Sequence, residues 1–141
     1  MRRYKNTRCT LGWCRQYAAR VQQGTVYRMH SISRWAGSKR QILGKLRPYW
    51  TGEPSRYVEP FAGSACLFFA LEPTKALLGD LNNELIQTYK ALKRDASLVL
   101  ECWRRLPSDK DSYYRIRAID PSDLSPAEAA ARFLYLNRYC F

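Results

Sequence analysis

The sequence predicts an α/β fold in which a short parallel sheet precedes a purely helical segment. Residues 57–59 and 75–80 are short apolar runs bounded by turn residues, as buried strands are. Each run is followed by residues with the spacing of a helix, and strands that alternate with helices form parallel sheets with right-handed crossovers. After Asp95 only helical patterns occur, so the second part of the chain is expected to be all helix.

Helical spacing predicts three helices around these strands. Residues 40–50 are expected to form a short amphipathic helix with Ile42, Leu43 and Leu46 on its apolar side. Residues 65–71 are apolar enough for a buried helix directly after the turn at 60–64. Asn82 can cap the next helix, and the apolar face of that helix carries Leu85, Ile86, Tyr89 and Leu92.

Capping residues mark the helices of the second part. Asp95 can cap a helix that carries Leu98, Leu100 and Trp103. Ser125-Pro126-Ala127-Glu128 is a capping box with proline at the first helical position, which is typical of a helix start. The helix that begins there is expected to run through Phe133, Leu134 and Leu136.

The positive charge of the chain is concentrated at its beginning. The 141 residues fit one domain or one domain with part of a second, and 46% of them are hydrophobic, enough for a core. The formal charge is +12, and residues 1–52 hold 12 Lys or Arg and no acid. Such a stripe suits a polyanion such as DNA or RNA. Alternatively, residues 1–30 form a disordered or non-native basic extension, and we expect a chain that starts at Met29 to fold without it.

Cysteine use and hydropathy exclude several classes of protein. The five cysteines form no C-x-x-C pair and the chain has one histidine, so we expect reduced thiols and neither a metal site nor disulfides. No apolar run approaches the roughly 18–20 residues of a membrane span. A cytoplasmic protein without a membrane partner is therefore expected.

The ends of the two predicted strands carry residues suited to a nucleoside. Ligands of α/β sheets bind at the carboxyl ends of the strands. Gly63 lets the backbone approach a ligand closely, and Asp80, 17 residues later, can accept both hydroxyls of a ribose. The loop lacks the three glycines of G-x-G-x-x-G, so S-adenosylmethionine fits better than a dinucleotide. The competing interpretation is that Asp80 is only a structural cap.

Four segments resemble one known family. They are Arg34-Trp35-Ala36-Gly37-Ser38-Lys39, Val58-Glu59-Pro60-Phe61-Ala62-Gly63-Ser64, Gly79-Asp80-Leu81-Asn82-Asn83-Glu84-Leu85 and Phe133-Leu134-Tyr135-Leu136-Asn137-Arg138-Tyr139-Cys140-Phe141. In this order, over about residues 31–141, they are similar to the Dam family of DNA adenine methyltransferases. The resemblance implies the amino-terminal part of a Rossmann-like methyltransferase sheet at residues 31–94. It also implies the start of a helical target-recognition domain at residues 95–141.

The resemblance assigns a cofactor site. In the family, the lysine at Lys39 meets the methionine carboxylate of S-adenosylmethionine, the tryptophan at Trp35 covers the ligand, and residues 59–64 form the loop beneath it. The family commonly has glycine where this chain has Ala65, so the loop is expected to be slightly less open. The implied cofactor residues are Trp35, Lys39, Glu59, Phe61, Gly63, Ser64 and Asp80.

The resemblance also implies double-stranded DNA as the partner. Arg34 stands where the family has a basic residue that can face DNA, and Phe141 stands at an aromatic position that can stack on bases. The alternatives are an ordinary surface charge at Arg34 and a core position at Phe141. A complete protein of this kind is expected to be monomeric, whereas the present chain is expected to self-associate.

The implied activity is transfer of a methyl group from S-adenosylmethionine to N6 of adenine, in a bacterial or phage-encoded enzyme of the kind used in restriction-modification. The family performs it with Asp-Pro-Pro-Tyr, which this sequence lacks, so no catalytic residue is assigned and the chain alone is expected to be inactive. Asp120-Pro121-Ser122-Asp123 is predicted to be a turn. The alternatives are a non-catalytic module that binds S-adenosylmethionine or DNA, and an unrelated basic helical protein that binds nucleic acid.

Overall fold

The computed structural model describes residues 33, 35–51 and 55–140, and its sheet has the predicted parallel arrangement. Strand β1 is Tyr57–Glu59 and strand β2 is Ala76–Leu78. The strands pair in parallel, with Val58 opposite Leu77. The α/β class and the parallel pairing are therefore confirmed, and β2 is shorter than the predicted run of residues 75–80.

The segment before β1 differs from its prediction. Instead of one amphipathic helix over residues 40–50, it forms a 3-10 turn, the short helix α1 (Leu43–Leu46) and a second 3-10 turn. Ile42 leaves helical geometry with φ −109° and ψ 6°, and its side chain is exposed. Gly44 and Pro48 both disfavour a continuous helix, so spacing alone was a poor guide here.

Helix α2 (Cys66–Leu71) connects the two strands and is flanked by unusual backbone. Ala65 before it and Glu72 after it both have left-handed conformations, with φ of 49° and 46°. Only Cys66 is fully buried in α2, and the other residues are half-buried. The prediction of a buried helix is thus correct for its beginning and wrong for its outer face, which no described element covers.

Helix α3 (Asn83–Arg104) bears out two capping predictions. The Asn82 side chain accepts a hydrogen bond from the Leu85 backbone N–H at 3.0 Å. A break follows at Asp95, where φ is −157°, and its carboxylate accepts from the Leu98 N–H at 3.0 Å. The helix predicted to begin at Asp95 therefore exists as the second half of a kinked α3.

Two further helices follow, joined by the predicted turn. Helix α4 (Lys110–Ala118) has Asp109 as its N-cap, and α5 (Pro126–Arg138) begins with the predicted Ser125 capping box. Between them, Asp120 accepts hydrogen bonds from the Ser122 N–H and hydroxyl at 2.8 and 2.7 Å. Residues 120–123 are thus a turn, as their sequence predicts.

The core lies among the helices rather than on the sheet. Helices α3 and α5 pack along each other through the buried residues Ala91, Val99, Ala130 and Ala131. The buried guanidinium of Arg132 donates to the carbonyls of Ile116 and Arg117 and pairs with Glu84 at 3.3 Å. This side chain therefore joins α5 to the end of α4 and to the beginning of α3. On the sheet, in contrast, Val58 and Leu77 are half exposed.

Candidate functional site

The loops that follow the two strands lie against each other. The Gly79 N–H donates to the carbonyl of Glu59 at 2.8 Å, and the Ala62 N–H donates to the carbonyl of Gly79 at 2.8 Å. A parallel pair brings both carboxyl ends to one edge of the sheet, so these contacts continue the pairing into the loops. The residues that the sequence placed at the two strand ends thus share one site.

Asp80 holds the two loops together through its carboxylate. Oδ2 accepts a hydrogen bond from the Gly63 N–H at 2.9 Å, and Oδ1 accepts from the Asn82 N–H at 3.0 Å. The side chain is half-buried. Asp80 therefore has a capping role, which fixes where the carboxylate points, and its predicted contact with a ribose stays a prediction.

Gly63 lies directly beneath the ring of Trp35. Its φ is +48°, a conformation that favours glycine, and a Cβ at this position would lie 2.7 Å from Cδ1 of Trp35. The ring of Trp35 also contacts that of Phe133, with centroids 6.4 Å apart. The group that packs closely on Gly63 is therefore the indole of Trp35, and the predicted approach of this backbone to a ligand stays a prediction.

Lys39 forms an ion pair beneath the loop. Its Nζ donates to the carbonyl of Phe61 at 2.6 Å and lies 3.0 Å from Oε1 of Glu59, although the latter contact lacks hydrogen-bond geometry. Glu59 is buried, and its Oε2 accepts from the Tyr57 hydroxyl at 2.8 Å. Burial and the neighbouring Glu59 carboxylate raise the pKa of Tyr57, so the hydroxyl stays a donor. The buried Glu59 carboxylate therefore balances the positive charge of the Lys39 ammonium.

Ser38 connects the first segment to the loop after β1. The hydroxyl oxygens of Ser38 and Ser64 lie 2.9 Å apart, and Ser38 Oγ donates to Cys66 Sγ at 3.7 Å. Ser64 is buried. This contact joins residues 26 positions apart in the chain and brings Trp35 and Lys39 to the strand ends.

These residues surround an open cleft of about 270 Å³. It is lined by Trp35, Ala36, Gly37, Ser38, Lys39, Phe61, Ala62, Gly63, Ser64 and Asp80. The lining includes six of the seven residues predicted to bind a cofactor, and Glu59 lies below it. Phe61 is 72% exposed. Leu81, which follows Asp80, is 96% exposed. The predicted DNA contacts, Arg34 and Phe141, lie outside the described residues.

Sequence reasoning missed the part that Tyr89 plays in this site. Its hydroxyl donates to the carbonyl of Gly63 at 2.6 Å. Burial, with the carboxylates of Glu59 and Asp80, raises the pKa of Tyr89 to about 12. The sequence put Tyr89 on the apolar face of its helix, and a buried tyrosine usually finds a partner for its hydroxyl. That general rule was the only signal in the sequence for a hydrogen bond from Tyr89. It does not identify the partner, because Gly63 lies 26 residues away along the chain.

Other features of the described residues offer less to a ligand. A second cleft, of about 320 Å³, lies between the start of α3, the turn at 120–122 and α5. It is larger, but the strand ends do not line it. Within the described part of the chain, no three potential metal ligands lie together. The same residues contain no helix long and apolar enough to cross a membrane.

Comparison with known proteins places the chain in a family. The family described as D12 class N6 adenine-specific DNA methyltransferase matches residues 35–141. Type II methyltransferase M1.LlaDCHI of Lactococcus lactis subsp. cremoris is 31% identical over 119 residues, which cover 80% of this chain and 42% of that protein. Type II methyltransferase M.CviBI of Paramecium bursaria Chlorella virus NC1A is 31% identical over 116 residues, or 80% of this chain and 44% of its own length.

The DNA N-6-adenine-methyltransferase of Escherichia phage P1 is 35% identical over 115 residues, which cover 79% of this chain and 15% of that protein. The chain thus spans less than half the length of each of these three relatives. The matched region begins at Trp35, the first residue of the cleft, and includes every other residue that lines it. On this evidence the chain belongs to the D12 class of N6 adenine-specific DNA methyltransferases.

Proposed function

We propose that this chain forms the S-adenosylmethionine-binding part of an enzyme that methylates N6 of adenine in double-stranded DNA. The observation that carries the proposal is the convergence of six predicted cofactor residues on one cleft at the strand ends. Parallel α/β sheets bind nucleosides at that edge. The names of the relatives, which are DNA adenine and Type II methyltransferases, support the same reaction.

Asp80 is suited to a ribose. A carboxylate has about four lone-pair positions on its two oxygens, and the backbone N–H groups of Gly63 and Asn82 use one on each oxygen. One acceptor position therefore remains on each oxygen, which matches the two neighbouring hydroxyls of a ribose. The two backbone bonds hold the carboxylate in orientation before a ligand arrives, which lowers the entropy cost of binding.

Lys39 and the aromatic side chains suit the remaining parts of the cofactor. The Lys39 ammonium has three donors, and it uses one on the Phe61 carbonyl while facing Glu59, so a further N–H can meet a carboxylate. Trp35 forms one wall, and the exposed Phe61 and Leu81 offer apolar surface to a purine. The cleft is slightly smaller than the lower limit of the range of roughly 300–1,000 Å³ that is typical of ligand pockets, so part of the cofactor would lie over its open side.

Methyl transfer needs residues beyond those of this sequence. Bound S-adenosylmethionine supplies the methyl group, and the adenine must be flipped from the duplex and held by its exocyclic amine. The chain contains no Asp-Pro-Pro-Tyr to do this. Its own residues therefore bind and orient the cofactor, and we expect no methylation by the chain alone.

The remaining assignments concern DNA and biological context. We assign residues 31–94 to a Rossmann-like cofactor-binding unit and residues 95–141 to the start of a helical target-recognition domain. Arg34 and Phe141 are proposed to contact DNA. We also propose a role in the cytoplasm of a bacterium, or during phage infection, in a restriction-modification or related system, which the relatives from Lactococcus lactis and Escherichia phage P1 support.

Calorimetric titration with S-adenosylmethionine tests the cofactor site. The wild-type chain is expected to bind, and Asp80→Ala is expected to weaken binding by about 1.5–3 kcal/mol, since it removes charge-assisted hydrogen bonds to the ribose. Asp80→Asn keeps one carbonyl oxygen, so it should lose less binding free energy than Asp80→Ala. Unchanged affinity in Asp80→Ala would contradict the assignment.

Asp120→Ala is the matched control for this titration. Like Asp80, Asp120 accepts a hydrogen bond from a backbone N–H two residues later, at 2.8 Å, but it begins a turn outside the cleft. The affinity of the Asp120→Ala variant for S-adenosylmethionine should equal that of the wild type. A thermal melt of each variant separates lost binding from lost folding, and absence of binding by the wild-type chain would overturn the proposed function itself.

A further inference from the structure

Tyr89 reaches the cofactor loop from the helix that follows it. It lies in α3, about two turns from the helix start, and its hydroxyl donates to the Gly63 carbonyl at 2.6 Å. The other polar backbone group of Gly63, its N–H, donates to Asp80 at 2.9 Å. Both hydrogen-bonding groups of this glycine are therefore held by side chains, and they belong to the two peptide units that flank its Cα.

The Gly63 backbone needs such support. Its φ of +48° is a conformation that an unrestrained glycine exchanges freely for others, because glycine has no Cβ to limit it. The ring of Trp35 lies so close that rotation of this peptide would move the indole as well. An unheld Gly63 would therefore disturb two of the groups that line the cleft.

Helix α3, which carries Tyr89, is held in place by packing and by an ion pair. Its residues Ala91 and Val99 are buried against α5, and Glu84 in its first turn pairs with the buried Arg132. Asn82, which caps α3, also donates its N–H to Asp80. The start of α3 thus holds the Gly63 loop at Tyr89 and the Asp80 loop at Asn82.

We propose that Tyr89 is a positioning residue for cofactor binding, which acts by fixing the Gly63 peptide and through it the Asp80 carboxylate and the Trp35 ring. The inference rests on the proposed function, in which the cleft binds S-adenosylmethionine. Tyr89 need not touch the ligand. Its hydroxyl sets the conformation of the loop before binding, and loss of that order lowers affinity.

Tyr89→Phe in the full chain of 141 residues tests this, with Tyr135→Phe as the matched control. Phenylalanine keeps the ring and removes only the hydroxyl. Tyr135 is likewise buried and donates to the Pro107 carbonyl at 2.6 Å, but it lies in the helical core. Tyr89→Phe is expected to weaken S-adenosylmethionine binding by roughly three- to tenfold, the equivalent of one hydrogen bond, and Tyr135→Phe is expected to leave it unchanged.

Hydrogen exchange followed by mass spectrometry gives a readout that does not depend on the ligand. In Tyr89→Phe, exchange over residues 60–64 should become faster without ligand, while Tyr135→Phe should leave this loop as protected as in the wild type. A loop unchanged in Tyr89→Phe, or equal effects of the two substitutions on affinity, would overturn the inference. If the wild-type chain binds no S-adenosylmethionine, the proposed function fails, and the exchange of the loop still decides whether Tyr89 orders it.

Discussion

Two left-handed residues, only two positions apart, shape the loop after β1. Gly63 has φ +48° and Ala65 has φ +49°. At Gly63 both the conformation and the contact with Trp35 require the absence of a Cβ. At Ala65 the chain keeps a methyl group in the same conformation, which costs about 1–2 kcal/mol for an L-residue. The buried position of Ala65 offsets part of this cost.

Gly63→Ala is expected to lower the free energy of unfolding by about 1–3 kcal/mol, because the new Cβ adds left-handed strain and displaces the indole. Chemical denaturation measures the change, and tryptophan fluorescence of Trp35 should shift with it. Gly44→Ala is the control, since Gly44 lies in α1 with nothing within 4 Å of an added Cβ. That substitution should stabilise the chain by up to about 1 kcal/mol. Equal changes in the free energy of unfolding for Gly63→Ala and Gly44→Ala would contradict the described structure of the loop.

Helices α3, α4 and α5 begin at side chains that hydrogen-bond to backbone N–H groups of the first turn. The Ser112 hydroxyl and N–H lower the pKa of Asp109 at the start of α4. The Ser122 N–H and hydroxyl lower the pKa of Asp120, and the Ser125 hydroxyl and N–H lower the pKa of Glu128. Because these bonds favour the ionised form, the carboxylates stabilise their helix starts only while they are charged.

Stability should therefore fall in acid. A carboxyl group with a lower pKa in the folded state contributes fully above its unfolded pKa of about 4, and the contribution is lost as the pH falls through the folded pKa. Asp109→Asn keeps an N-cap acceptor but does not titrate, so its unfolding free energy should depend less steeply on pH in this range. Thermal melts of the wild type and of Asp109→Asn over the acid range measure the two slopes, and identical slopes would exclude a role for the cap.

At the scale of the whole molecule, the hydrophobic cluster between the helices leaves one face of the sheet outside it. Apolar side chains are buried between α3 and α5, whereas Val58 and Leu77, partners in the parallel register, are 50% and 52% exposed. Parallel sheets are normally covered on both faces. Within the described residues the sheet has two strands and its apolar face at Val58 and Leu77 has no cover, so this face is a site for association.

The chain of 141 residues is expected to self-associate and to bind a hydrophobic dye. The double substitution Val58→Lys and Leu77→Glu places opposite charges across the strand pair and should reduce both effects. Leu98→Lys, at an exposed position of α3, is the control and should change neither. Sedimentation and dye fluorescence provide the measurements. A monomeric wild-type chain with a sharply cooperative melt and no dye binding would show that this face does not drive association.

Local signals in the sequence were enough for much of the fold. The caps at Asn82 and Asp95, the capping box at Ser125 and the turn at Asp120 all depend on residues within four positions of each other. The strands were recognisable as short apolar runs bounded by turn residues, although they pair across 19 positions. The cleft residues could also be named, because their segments resemble those of a family. The same local reasoning was wrong for residues 40–50, where the helix that the apolar spacing indicates is interrupted at Ile42 and replaced by a 3-10 turn from Arg47.

The sequence by itself determined which residues form the strand ends and helix starts, since these choices follow from propensity, capping and spacing. Only the tertiary structure decided what each cleft residue contacts. Trp35 lies on Gly63, Lys39 reaches the Phe61 carbonyl 22 residues away, and Tyr89 reaches the Gly63 carbonyl 26 residues away. Such contacts form when packing of α3 and the parallel pairing bring distant segments together, and no periodicity in the sequence encodes which partner a buried hydroxyl or ammonium will meet.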